Sequence, residues 1–277
     1  MKLGYNTNGF AFHRLEDALE IIADLGYTAV AITPDVHHLD PYRSSVRELE
    51  RVASLVDRLG LEPVVETGAR FVLDPRRKHR PTLLSPEHEE RLARQRLLER
   101  CVEMAGHLGA GVMSLWSGTP EEPIDLKTGM ERLKPGLDSV LDLAQRLSIQ
   151  IGFEPEPGMW IESITGYSAL CAALGRDDLG LTLDLGHLNV TEQPPYAPLV
   201  DRVASRVVNV HIDDARGGVH EHLLPGEGEM PLEELLRVLW DRGFAGVASV
   251  ELSRHAHDAV NAARLARKYL RRLWPVD

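Results

Sequence analysis

Eight short apolar runs separated by longer amphipathic stretches set the tightest limit on what this chain can fold into. The runs are LGYNT near residue 3, TAVAIT near 28, EPVVET near 62, GVMSLW near 111, IQIGFE near 149, LGLTLD near 179, RVVNVH near 206 and GVASVE near 246. They have strand length, and most are rich in Val, Ile and Leu. Between them, segments such as 14–25, 43–59, 86–108, 128–147, 231–242 and 256–273 place apolar residues three and four apart among Arg and Glu. That spacing gives a helix one buried face. Gly26, Gly60, Gly109 and Gly243 stand just beyond four such segments, where a helix commonly ends in a left-handed residue.

Eight strands, each followed by a helix or a long connection, predict an α/β fold of the (β/α)8 TIM-barrel kind. The structural rival, a doubly wound open sheet, would place a glycine-rich phosphate turn after the first strand. YNTNGF offers only Gly9 there. With 277 residues, 43% hydrophobic and 26% charged, and no linker or low-complexity tract, residues 1–277 read as a single domain. The connection 68–85, GARFVLDPRRKHRPTLLS, is too long for a plain strand-to-helix loop and reads as a lid.

The 42 acidic against 31 basic side chains leave a net charge of −11. This works against a phosphate-backbone partner, whose binding relies on Lys and Arg displacing counterions. Cys101 and Cys171 both fall in helix-like stretches and suggest no disulfide framework. The N-terminus MKLGYNTNGF has no apolar core of a signal peptide, and no run approaches a membrane span. The expectation is a cytoplasmic protein with no nucleic-acid or membrane partner; self-association into a homo-oligomer is left open.

Chemistry in such a barrel sits where the strands finish. Strand five ends in Glu154, strand six in Asp184, strand seven in His211 and strand eight in Glu251. One acidic residue there is ordinarily a helix cap, but four ligand types on consecutive strands converge on one rim. Three carboxylates and an imidazole, with no thiolate nearby, suit one divalent ion: Mn2+ first, with Mg2+, Co2+ or Zn2+ as alternatives.

Around them stand candidates for the substrate. His187 follows Asp184 by three residues across a glycine turn and either faces a substrate or starts a helix at the surface. Arg216 either binds a substrate oxygen or pairs with Asp213 or Asp214. HEHLLPGEGEMP holds His220 and His222 before a glycine-hinged loop able to close over a site. Glu156 faces the same way as Glu154 by strand alternation. Trp116, Phe10 and Phe12 either wall a sugar pocket or pack in the core, and His37 and His38 lie just past strand two. Glu66 and Arg70 flank the end of strand three. The basic run Arg76, Arg77, Lys78, His79 and Arg80 either grips an anion or is a solvated loop.

The succession Glu154, Asp184 with His187, His211 and Glu251, together with GEGEMP, resembles the xylose-isomerase-like TIM-barrel superfamily, the sugar phosphate isomerase/epimerase family. Its members include ketose 3-epimerases, inosose isomerases and dehydratases, and abasic-site nucleases of the endonuclease IV type. The resemblance implies one divalent ion, usually Mn2+, held by Glu154, Asp184, His211 and Glu251, with Glu154 and Glu251 also moving protons. It implies that His187 holds a substrate oxygen, and Arg216 another, although the spacing before Arg216 differs from the family's. The nuclease branch matches less well. Its ligand at the end of strand four is missing from MSLWSG, and its Asp-x-His pair is here His220-x-His222.

The chemistry agrees with that likeness. Removing a proton beside a carbonyl needs a base at the carbon and positive charge near the oxygen. Two carboxylates on opposite faces can remove and return a proton through an enediolate, giving epimerisation. Return to the neighbouring carbon gives isomerisation, and loss of a β-hydroxyl gives dehydration. The expected function is a divalent-metal-dependent isomerase or epimerase of a small-molecule sugar or cyclitol. Glu154 and Glu251 are its catalytic pair; His187, Arg216, Glu156, Trp116, Arg70 and His222 contact the substrate. The alternatives are a lyase on the same scaffold, either an inosose-type dehydratase or a deglycosidase acting on a 3-keto-glycoside, and a metal-dependent phosphodiesterase. Whether the substrate is phosphorylated stays open: Glu227 and Glu229 would repel phosphate, and only the 70–80 basic run could hold it.

Overall fold

A computed structural model describes residues 1–273; residues 274–277 of the expected single domain lie outside the described residues. Seven of its strands come first in the barrel: β1 Lys2–Asn6, β2 Ala29–Ile32, β3 Glu62–Glu66, β4 Val112–Leu115, β5 Gln150–Phe153, β6 Leu179–Asp184 and β7 Val207–Ile212. A short hairpin, β8 Asp214–Arg216 and β9 Val219–Leu223, interrupts the series before the eighth barrel strand, β10 Val247–Val250. The barrel closes in chain order, with Tyr5 paired to Val250 on one side of β1 and to Val30 on the other. All eight pairings are parallel. The (β/α)8 expectation is met.

The strands are apolar without alternation because both of their faces are covered. All four residues of β2, Ala-Val-Ala-Ile, are buried. Ala29, Ala31, Val64 and Val247 form a small cluster apart from the main core, in which Val30 and Ile32 take part. The helices are α1 Leu15–Asp24, α2 Val46–Arg58, α3 His88–Leu108, α4 Leu126–Arg146, α5 Ile164–Leu174, α6 His187–Thr191, α7 Ala197–Val203, α8 Leu232–Asp241 and α9 Ala259–Leu273. Side chains of Ser45, Asp125 and Ser163 cap α2, α4 and α5 by accepting the backbone N–H of the third residue of each helix. Gly109, at φ 72°, ends α3 as the sequence suggests. No helix among the described residues is long and apolar enough to cross a membrane.

Part of the barrel interior is polar. Ser114 on β4 and Thr182 on β6 are not on neighbouring strands, yet their hydroxyls lie 2.5 Å apart, so both side chains point inward. Gly152, on the intervening β5, permits this, because a Cβ there would sit 2.2 Å from the Thr182 hydroxyl. Asn209 joins from β7, donating to Ser114 Oγ (3.0 Å) and to Glu66 Oε1 (2.8 Å).

Two expected mobile elements are instead tied down. In 68–85, the Arg80 guanidinium donates to Thr119 O (2.7 Å) and Thr119 Oγ1 (2.9 Å), while Arg77 bridges Asp74, Glu90 and Glu121. Leu83 and Leu84 are buried. In this conformation the segment forms one wall of the cavity. The glycine-hinged loop is likewise pinned: the Asp214 carboxylate accepts from Gly226 N (2.9 Å) and Met230 N (3.0 Å).

Candidate active site

Glu154 directly follows β5, Asp184 ends β6, His211 is next to last in β7, and Glu251 directly follows β10. Their ligand atoms all lie within 4.8 Å of one another. His211 Nδ1 is 3.0 Å from Glu154 Oε1, 2.9 Å from Glu251 Oε2 and 3.8 Å from Asp184 Oδ2. Asp184 uses its two oxygens separately. Oδ1 accepts the His187 backbone N–H at 2.9 Å, starting α6, while Oδ2 is buried without a hydrogen-bond partner. A buried carboxylate oxygen left alone beside two further carboxylates is costly unless a cation joins it. Three oxygen donors and one imidazole nitrogen crowded around a single point fit a divalent ion.

The charges bear this out. Burial pushes the Glu154 carboxyl up to about 8 and Asp184 well above the usual carboxylate range. Burial works to lower His211, but Glu66, Glu154 and Glu251 outweigh it and hold its pKa well above the ordinary value. Burial also works to raise Glu251; the neighbouring His211, by charge and hydrogen bond, overcomes it and keeps that carboxyl low. A proton on His211 thus offsets the acids in the protein alone, and a metal ion would have to displace it.

Two side chains aim the donors. Glu66, the last residue of β3, lies 2.9 Å from His211 Nε2. With the Nε2 proton given to Glu66, Nδ1 is the nitrogen left to face the three acids. Asn8, in the short turn after β1, donates from Nδ2 to Glu251 Oε1 at 2.7 Å and leaves Oε2 toward His211. Sequence reasoning noted Glu66 without a role and missed Asn8. Gly186 clears the space beside Asp184, since a Cβ there would lie 1.9 Å from Asp213 Oδ1.

A cavity of about 430 Å³ opens above the quartet, within the ~300–1,000 Å³ of small-molecule sites. Of the residues expected to contact a substrate, His187, Glu156, Trp116, Arg70 and His222 all line it. His187 is buried, and burial followed by the His220 and His222 charges keeps its pKa well below the ordinary value, so its ring is neutral. Its Nε2 is 3.0 Å from His220 Nε2. Burial, then Glu154 and Glu251, raises Glu156 well above the carboxylate range. Trp116 is backed by the buried Arg94 guanidinium, 4.5 Å from its ring centre. Arg70 Nε is 3.3 Å from Asp35 Oδ2, and His222 Nδ1 is 2.6 Å from Asp213 Oδ2.

Arg216 departs from expectation. It is exposed, lies outside the cavity wall, and makes no ion pair with Asp213 or Asp214 among the described residues. The cause is the hairpin: β8 runs on past the strand end, and the turn at Gly217 and Gly218 carries Arg216 to its tip, paired with Val219. Phe10 belongs to the core and Phe12 is 80% exposed, so neither walls the cavity. His38 is buried against His13 O at 2.9 Å and bridges two loops. Of the basic run, Lys78 and His79 line the cavity, whereas Arg77 and Arg80 hold the wall. His220, singled out by sequence beside a loop able to close over a site, and Arg254, which gave no sequence signal, complete the rim. Two further groupings of donors overlap the site: His187, His220 and His222, and Asp184, Asp213 and His222.

The family model described as Xylose isomerase-like TIM barrel matches residues 19–273. The fructoselysine 3-epimerase of Shigella flexneri is 24% identical over 291 residues, covering 100% of this chain and 99% of that protein. A solved structure of a D-tagatose 3-epimerase-like protein superposes with a TM-score of 0.79 at 24% identity, covering 99% of this chain and 98% of that one. The IOLI protein, solved with a zinc atom, superposes with a TM-score of 0.80 at 20% identity and the same coverage. These two structural likenesses speak for the fold.

Proposed function

This chain belongs to the xylose isomerase-like TIM barrel family, and from that premise we propose that it is a divalent-metal-dependent isomerase or epimerase of a sugar or cyclitol. The reaction is proton abstraction next to a carbonyl, through an enediolate. The observation that carries the reading is the quartet Glu154, Asp184, His211 and Glu251, converged on one point at the floor of a cavity of small-molecule size. The epimerases among its relatives support the same class of chemistry.

Glu154, Asp184, His211 and Glu251 would hold the ion, Mn2+ being the first expectation and zinc, named in the IOLI structure, an alternative. When bound, it supplies positive charge for the oxygen of the reacting carbonyl. Glu154 and Glu251 directly follow strands separated by β6 and β7 and reach the shared point from different parts of the rim, and the two-base route has the substrate carbon sit between them. Glu251, held in place by the Asn8 amide, is one carboxylate able to take a proton from the carbon. Glu154 is the second carboxylate, placed to give a proton back to the carbon. The neutral His187 ring can donate to or accept from a substrate oxygen, Glu156 offers a carboxylic O–H, and Trp116 a flat wall.

Elemental analysis together with a turnover screen in D2O tests this, using free ketoses, inososes, 3-keto-glycosides and their phosphates. About one ion per chain and deuterium next to the product carbonyl are expected. Complete turnover with no label at any carbon rules out the two-carboxylate route with solvent exchange. Product analysis separates isomerase from lyase. The grouping of His187, His220 and His222 favours one second reading, a multi-metal phosphodiesterase. Two or three tightly held zinc ions, with nicking of abasic DNA lost in Glu251→Gln, would establish it.

A further inference from the structure

The cavity is lined by carboxyl groups at its floor and by cations at its rim. Its floor holds Glu66 and Glu154, both nearly inaccessible, with Glu251 and Glu156 beside them. Its rim holds three cations: Arg70 and Lys78 from the connection after β3, and Arg254 from the turn after β10. Arg70 is committed to Asp35. Lys78 and Arg254 are exposed, and neither forms an ion pair with an acid among the described residues. Arg254 spends its one hydrogen bond on His220 O, at 2.6 Å. Lys78 and Arg254 thus stand at the mouth of one cavity with their charges not taken up by an acid among the described residues. Arg77, one residue from Lys78, engages three acids.

The two cations come to one cavity from different connections. Burial first, then His222, and then Arg254 and Lys78 among the charges around it, bring His220 down to about 4; Lys78, Arg94 and Arg70 act with burial on His79, down to about 3. Both rings line the cavity and are neutral, ready to donate a hydrogen bond. The acids Glu227 and Glu229, which by sequence would have repelled an anion, do not line the cavity, and Glu229 Oε2 accepts the Gly217 backbone N–H at 3.2 Å.

We propose that the substrate carries an anionic group, a phosphate or a carboxylate, at the end remote from its reacting carbonyl, and that Lys78 and Arg254 hold that group at the cavity rim. This rests on the reading above for which end of the substrate goes to the floor. Side chains alone make the subsite, without a helix N-terminus or glycine cradle, so its grip is electrostatic and weakens with salt.

Calorimetric titration of the full chain with D-ribulose 5-phosphate, 5-keto-D-gluconate and D-fructose tests it and separates phosphate from carboxylate. At least one anionic probe is expected to bind about tenfold to a hundredfold more tightly than fructose, as for charge-assisted hydrogen bonds. That gap should close in the Lys78→Gln, Arg254→Gln double variant and narrow as salt is added. Equal affinities for all three probes, a gap that survives the double substitution, or no binding of either anion would overturn it. Because binding is read rather than turnover, the two failures are distinct. An anion held through Lys78 and Arg254 but never exchanging deuterium would sink the proposed reaction alone. Neutral ketoses turned over with no preference for anions would sink the rim subsite alone.

Discussion

Glu154, Asp184, His211 and Glu251 come from the second half of the barrel, on β5, β6, β7 and β10, whereas Asn8 and Glu66, which aim two of them, come from the first half, after β1 and at the end of β3. The donor half has to offer specific chemistry, because an ion selects oxygen and imidazole ligands. The holding half has only to offer a hydrogen bond in the right place, which several residue types can do. Loss of a donor should therefore remove the site, and loss of a holder should loosen it.

Asp184→Ala should have the largest effect. It removes the buried Oδ2 and the cap of α6 together. Elemental analysis after dialysis should find no ion, and turnover should fall to background; an alanine variant that keeps its metal would break the comparison at its centre. Next comes Glu251→Gln, for which kcat should drop by ~10²–10⁴-fold, as for loss of a general base. Metal occupancy has to be measured alongside. Either Glu251→Gln or Glu154→Gln should still exchange deuterium into substrate while forming no product. Glu66→Gln should cost about 10–100-fold in metal affinity or activity, the usual scale for a partner of a metal-bound histidine. Equality with Asp184→Ala would erase the distinction between donor and holder.

The pH dependence is a gentler probe of the donor half. His211, Asp184 and Glu154 all hold protons more tightly than usual in the protein alone, Glu154 up to about 8. An ion must displace those protons, so metal affinity should rise with pH through that range and fall below it, by about tenfold per pH unit for each proton released. Calorimetry in two buffers of different ionisation heat counts the protons; zero release would show that the donors are not held as described. The smallest effect is expected for Arg216→Ala. The side chain lies on the exposed hairpin tip, so kcat/KM should stay within about twofold. A large loss there would mean that the hairpin folds over the cavity in turnover.

The same division decides what could be read in the sequence. The donors were legible because four ligand types end four successive apolar runs, a pattern that folding alone does not ask for. The six helices named from periodicity lie within three residues of where they form. Asn8 was illegible, because an asparagine two residues past a strand looks like any turn residue, and its partner is 243 positions away. Arg216 was misplaced because strand-end logic assumes that the chain turns directly into a helix, and here it first makes a hairpin. The 68–85 connection looked mobile from its length, but its arginines, suggestive of a ligand, are largely used to bind it to the acids and carbonyls of the neighbouring loop.

Asp184 has one consequence that reaches beyond a single reaction. Its Oδ1 fixes the start of α6, and so the ring of His187, while Oδ2 faces the other three donors. One side-chain torsion therefore sets both the coordination sphere and the position of a group that meets the substrate. In evolution or in the laboratory, a longer or shorter acid chosen to retune metal preference would move His187 with it. Taste for metal and taste for sugar are geared together at this residue, and new specificities should arise more readily at Lys78, Arg254 and the rest of the rim, where no such gearing exists.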